Sequence, residues 1–394
     1  MSLGYPLAML RTLAALLLLA LSLPLPTAGQ EKVTEMELRT LMNEQRLAVD
    51  LYRAGRLEDA LASVRGRSAS MNHVIAERIL RWLEGPVPQL RDANEKLIPP
   101  WNAQLVTALA ALHMEMALRV YTERASVDAY HTQVRTARML FDAATKRDGS
   151  MSDRLPRWIL AIGSTAHAEG QHWWAAEILD DGCRSHPDHV DLLIACASAQ
   201  ETIADLPAHI LLTAGSDTTN EEGVRFGVDS GQQAVAARNR RLGAAVRMFE
   251  HALTIRPADV EARLRLARVL ALTGDERRGV RLLETILKLD SQADRRSAFL
   301  VRLLLGTIRL RLGASSDAVA LFEQCVTLVP SAQSGYVALA HALHRSGRVN
   351  DAAAVTERMF NAPSQPPDPW GSYSYGQYWL APPLLESLRA EARK

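Results

Sequence analysis

A chain of 394 residues with 48% hydrophobic and only 5% aromatic side chains can bury a large core, most of it built from Ala and Leu. That mixture favours close-packed helices over a β-sandwich, which would draw on Val, Thr and aromatic residues. The 45 basic and 44 acidic side chains leave a net charge of +1. This argues against a nucleic-acid partner or an anionic membrane surface, both of which select a basic excess.

In chain order, Arg11 precedes an apolar run from Leu13 to Leu25, and Pro-Thr-Ala-Gly follows it. Residues 1–29 therefore read as a secretory signal peptide, with Thr27 and Gly29 as the small residues before a cut at Gln30. The competing reading is an uncleaved anchor. Against it, the run is shorter than the ~20 residues a spanning helix needs, and Pro24 and Pro26 interrupt it. No Cys follows the run to carry a lipid. The expected location is periplasmic or secreted, with membrane contact only through this segment if it stays attached.

Residues 30–150 carry helical periods, including 101–124 and 127–147, with Pro86, Pro88, Pro99 and Pro100 bracketing the connection before them. Whether they are divergent repeat units or a cap stays open. Over 151–360 an internal repeat emerges. Aligning 299–330 with 333–360 places Gly313 over Gly347 and Ala318 over Ala352, and Leu305-Gly306 over Leu339-Ala340, all at the same offset. Each unit has an apolar helix, a turn at Gly and a second helix opening near Asp317 or Asp351. Two short amphipathic helices cannot bury their faces alone; stacking the next pair completes the core.

These units resemble tetratricopeptide repeats, whose motif combines large–small apolar pairs, a turn Gly, a small Ala and a terminal Pro. Ile162-Gly163, Ala166, Gly170, Ala175, Leu179 and Pro187 fit it, as do Leu266-Ala267, Leu270, Gly274 and Leu283, with Gly279 in place of the small Ala. Ala245, Phe249, Ala252 and Pro257 keep a second-helix half, and Gly55, Ala60 and Val64 give a weaker, degenerate match inside 30–150. The resemblance implies an all-α, right-handed solenoid of helix-turn-helix units and an exported bacterial member of that family.

The period lapses between Ala204 and Ser230, which reads as an insertion at about 204–230 between the two helices of the repeat that starts near Val190. Cys183 and Cys196 flank a short loop. They are either small buried residues at helix contacts or a pair able to bond in an oxidising compartment. Residues 361–394 turn rich in Pro and aromatics, with Trp370, Tyr373, Tyr375, Tyr378 and Trp379 before a last short helix. Two readings fit such a tail. One is a strap covering the exposed face of the solenoid; the other is a partner-binding segment anchored by Trp370, Tyr375 and Trp379.

No catalytic constellation, metal site or cofactor motif stands out. The chain lacks a nucleophile elbow, a phosphate loop, a dinucleotide fingerprint and a His-Glu-Xaa-Xaa-His pair. Asp217, Glu221 and Glu222 lack the alternating ligand spacing of a calcium loop. His341 and His344 share a helix face but show no third ligand. The resemblance instead implies a concave groove lined by the first helix of each repeat. Arg268, Arg311, His341, His344 and Arg345 would face it, over a floor of Leu264, Leu303 and Val337, with the three arginines near equivalent positions. Such a surface suits a protein or peptide carboxylate that Arg can fork. The expected function is a non-enzymatic protein–protein scaffold of the cell envelope; the alternative is a helical-repeat enzyme or enzyme subunit with its site in the 204–230 insertion.

Overall fold

The computed structural model describes residues 35–64, 66–84, 101–123, 126–206, 228–288, 294–362, 368–374 and 381–394. The expected leader, residues 207–227 of the insertion, and Tyr375, Tyr378 and Trp379 lie outside them. Among the described residues there are seventeen α-helices and no strand. None of these helices is long and apolar enough to cross a membrane.

Five helices, α1 (Glu35–Arg53), α2 (Leu57–Val64), α3 (Ala69–Glu84), α4 (Ala103–Thr122) and α5 (Val127–Arg147), precede the regular array, which opens with α6 (Arg154–Ala168). The array continues through α7 (His172–Ser185), α8 (Val190–Ala204), α9 (Val228–Ile255), α10 (Val260–Leu272), α11 (Glu276–Lys288), α12 (Arg295–Arg311), α13 (Ser315–Leu328), α14 (Gln333–Arg345) and α15 (Val349–Phe360). A one-turn helix α16 (Pro369–Ser374) and the terminal α17 (Ala381–Arg393) complete the fold. Neighbours pair as helix hairpins: α1 with α2, α4 with α5, α6 with α7, α8 with α9, α10 with α11, α12 with α13 and α14 with α15. The α8–α9 hairpin is the one that brackets residues 207–227.

The turns explain why these pairs repeat. Gly55, Gly170, Gly274, Gly313 and Gly347 all sit at φ between 76° and 94°, a left-handed conformation that costs glycine nothing. The residue after each glycine donates its N–H to the carbonyl five residues back: Arg56 to Leu51, Gln171 to Ala166, Asp275 to Leu270, Ala314 to Arg309 and Arg348 to Leu343, at 2.8 to 3.0 Å. This closes the first helix and satisfies one of its free carbonyls before the chain reverses. Asp259 and Asp294 then cap the following repeats, accepting from the N–H of Ala262 at 2.9 Å and of Ser297 at 3.0 Å.

Small residues set the distance between helices. Ala245, Ala252 and Ala318 are fully buried at their crossings and Ala352 nearly so. A Cβ on Gly306 would stand 2.6 Å from the Phe322 ring, and one on Gly279 would stand 2.6 Å from the Ala267 carbonyl oxygen. The core is continuous but has three centres: one over α1 to α8, one joining α8, α9 and α10, and one over α10 to α15. Two helices are buried all round, α4 from Leu105 to Ala117 and nearly the whole of α8. A helix covered on every side carries no polar stripe along its sequence.

The last cover on α4 comes from the far end of the chain. Leu385, Leu388 and Ala392 of α17 are buried in the N-terminal core. Arg389 forks the buried Glu115 at 2.7 and 3.0 Å, Arg157 pairs with Glu391 at 2.9 Å, and Arg53 donates to the carbonyl of Lys394 at 2.9 Å. Cys183 of α7 and Cys196 of α8 form a disulfide with their Cα atoms 7.0 Å apart, which selects the bonded alternative. Cys325 is free and buried, its thiol pushed up to about 12 by desolvation.

Candidate functional site

The chain must travel from α15 back to the N-terminal half, and residues 368–374 take it across the first helices of the repeats. Asp368 accepts the N–H of Ser334 on α14 at 2.8 Å and its hydroxyl at 2.6 Å. Arg296 on α12 donates to the Ser372 hydroxyl at 3.3 Å. Arg265 on α10 donates to the Tyr373 carbonyl at 2.8 Å, and the Tyr373 hydroxyl donates to Glu201 on α8 at 2.5 Å. The segment thus meets α14, α12, α10 and α8 in that order, antiparallel to the array. The strap alternative for residues 368–374 accounts for these contacts.

Beneath the segment lies a charge cluster with a dry centre and an edge, at Asp205, open to solvent. Glu201 is 1% exposed and Arg265 is fully buried. Glu201 receives Arg265 at 3.0 Å and Arg268 at 2.7 Å; Arg268 also reaches Asp205. Arg265 holds Glu261 at 2.7 Å, which Arg296 shares at 3.0 Å. Three arginines therefore face three carboxylates, so the charge closes within the repeats themselves. Burial works against the charge on Arg265 and Arg268. The carboxylates around them, together with Tyr373, outweigh it and hold both guanidiniums above their ordinary pKa. For Glu261 burial pushes upward, yet Arg265 and Arg296 prevail and hold it below the usual carboxylate value. Desolvation and the nearby Glu201 carboxylate push the Tyr373 hydroxyl well above its usual value, so it stays a donor.

Aromatic faces complete the contact. Trp370 and Tyr373 stack at 5.1 Å with their planes 6° apart. Arg265 lies 4.1 Å from the Tyr373 ring centre, and Arg268 lies 5.4 Å from that of Trp370. A guanidinium pressed on a ring face out of water gains from the ring quadrupole as well as from packing.

The residues expected to line the groove separate into two groups. Arg268 stands six residues before its turn glycine, whereas Arg311 and Arg345 stand two before theirs. The three arginines are therefore not equivalent: Arg268 lies deep in the cluster, and its forking capacity is spent on Glu201 and Asp205. Arg311 lies at the end of α12 and pairs with Glu276 at 3.2 Å. His341, six before Gly347, is the true counterpart of Arg268; it, His344 and Arg345 are exposed. Of the expected floor, Leu264 and Leu303 are buried and Val337 is 57% exposed. Of the tail anchors, Trp370 sits in the strap, and Tyr375 and Trp379 lie outside the described residues. Sequence reasoning missed Glu201, Arg265 and Tyr373 as a group; the available signal was Glu201, an acid inside the otherwise apolar run from Val190 to Ala204. Among the described residues no cluster of three or more His, Cys, Asp or Glu side chains is placed to hold a metal.

The tetratricopeptide repeat family model matches residues 236–303. These residues run from within α9 through α10 and α11 into α12, which is one full helix hairpin and its flanks. The chain carries tetratricopeptide repeats. Among solved structures, a tetratricopeptide repeat protein from Parabacteroides merdae is 11% identical with a TM-score of 0.41, the match covering 72% of this chain and 99% of that one. A thermophilic repeat protein of Thermus thermophilus is 15% identical at a TM-score of 0.35, covering 59% and 98%. The protein MamA is 12% identical at 0.34, covering 52% and 88%. No curated protein sequence matches the chain. Its repeats make it a scaffold of the protein–protein interaction kind.

Proposed function

We propose that this protein is a non-enzymatic scaffold of the bacterial cell envelope that takes a segment of a protein partner along the first helices of its repeats. The observation that carries this reading is the seating of residues 368–374. The groove grips a short polypeptide by its carboxylate, its aromatic rings and a backbone carbonyl, the three handles a peptide ligand offers. Past the strap, His341, His344, Arg345 and Arg311 remain exposed on α14 and α12 and supply the basic character suited to an acidic segment. An envelope location is supported by the Cys183–Cys196 disulfide, a bond that persists in oxidising compartments, and by the leader-like residues 1–29.

The test is capture from envelope extract by the mature chain beside the Arg311→Ala, His341→Ala, His344→Ala, Arg345→Ala quadruple variant. These side chains are surface groups, so the variant keeps its helical signal. Loss of a captured partner in the variant is the expected result; unchanged capture would reject the groove. Mass spectrometry of the exported protein should find an N-terminus near Gln30, and an intact Met1 in the membrane fraction would reject the location.

A further inference from the structure

We infer that residues 368–374 are a ligand held in cis: they close the groove, and the groove's partner class is a protein segment that repeats their chemistry, an acidic residue, then Trp two positions on and Tyr three beyond that. The inference rests on the groove reading above and adds what enters and what must leave first.

Three observations carry it. The charge cluster under the segment is balanced without it, Arg265, Arg268 and Arg296 against Glu201, Glu261 and Asp205. Lifting the segment therefore leaves paired, solvatable groups and not an orphaned charge. The contacts are also those of recognition more than of a greasy cap. One carboxylate meets an N–H and a hydroxyl at Ser334; two rings lie on two guanidiniums; one phenol and one carbonyl complete the set. Stacked Trp and Tyr with Arg form the side-chain set that dominates binding interfaces. Finally, the segment is tethered on both sides, by α15 before it and by α17, which is clipped to α1, α4 and α6 after it. A tethered segment competes at an effective concentration of about millimolar, without needing high intrinsic affinity. A free partner must therefore carry the same handles or outnumber the strap.

The experiment uses a fluorescein-labelled peptide of residues 366–376 titrated onto the full mature chain and onto its Trp370→Ala/Tyr373→Ala variant. With its own strap disabled, the variant should bind the peptide at least tenfold more tightly than the parent, and a peptide carrying Ala at the same two positions should not bind. Asp368→Ala, which removes the Ser334 anchor and the acceptor of the Trp370 amide while leaving both rings in place, should shift affinity in the same direction by about threefold, and it decides the matter if the double variant loses helical signal. Equal affinity for parent and variant, or no binding by a folded variant, would overturn the inference. So would a parent dimer that dissociates on the double substitution, because the groove would then hold a second copy's strap. No envelope partner enters this test, so it can fail while the scaffold reading stands, and the capture experiment can fail while this one succeeds.

Discussion

Replacing Glu201 by Ala strikes the point where repeats and strap meet. Glu201 is 1% exposed and holds Arg265, Arg268 and the Tyr373 hydroxyl at 3.0, 2.7 and 2.5 Å. Without it, Arg265 keeps Glu261 and Arg268 keeps Asp205, but the cluster carries three guanidiniums on two carboxylates, with Arg265 fully buried at its centre. Breaking a buried pair by removing one partner costs about 3–5 kcal/mol. Glu201→Gln keeps an acceptor for the phenol and should cost less, about 1–3 kcal/mol. The measurement is the midpoint of urea unfolding at unchanged slope, repeated with Tyr373→Phe and the double substitution. A coupling of about 0.5–3 kcal/mol between Glu201 and Tyr373 is expected for groups in contact. If Glu201→Ala melts within about 0.5 kcal/mol of the parent, the surface-substitution range, the buried cluster does not exist as described.

Gly279→Ala pushes a Cβ to 2.6 Å from the Ala267 carbonyl oxygen, so overpacking of about 1–3 kcal/mol should outweigh the gain of about 1 kcal/mol in helix propensity. Gly243→Ala meets only the Arg247 guanidinium at 3.7 Å and should stabilise; thermal melts that reverse this order would refute the α10–α11 crossing. Ala318→Leu should cost about 1–3 kcal/mol at a fully buried site, and a parent-like melt would displace the repeat register. Burial holds His113 at about 4 and, with His172 and Arg265 nearby, His167 at about 3, against an ordinary 6.5. The unfolded chain protonates both as the pH drops through 6.5 while the folded chain does not. Stability is therefore present above that value and falls with acid by about 1.4 kcal/mol per pH unit for each. Melting from about pH 7 to about pH 5 should show the slope and His167→Gln should reduce it; a flat profile would contradict their burial.

Much of the fold was legible because its turns need glycine. Gly170, Gly274, Gly313 and Gly347 marked hairpins whose first helices end in a left-handed residue, and Ala318 and Ala352 marked crossings that admit only small side chains. Arg268 misled for a physical reason: an arginine in a helical period reads as a solvated face, and only its partner on α8, more than sixty residues away, makes it interior. The return of α17 to α4 and α6 left no local trace, since a contact between Arg389 and Glu115 has no period to follow. Glu115 and Glu201 were the available hints, acids within apolar helices, and each proved to be the buried partner of an arginine delivered from elsewhere in the chain.

Residues 368–374 lie across the first helices of the repeats, and the closed groove depends on that placement. Amide hydrogen exchange on the mature chain and its Trp370→Ala/Tyr373→Ala variant tests it most directly. In the parent, the amides of Trp370 and Ser372 should be protected, because they donate to the Asp368 carboxylate and carbonyl inside the seated segment. In the variant they should exchange at the rate of an unstructured peptide while α10 and α12 stay protected. Free exchange of residues 368–374 in the parent would contradict the account.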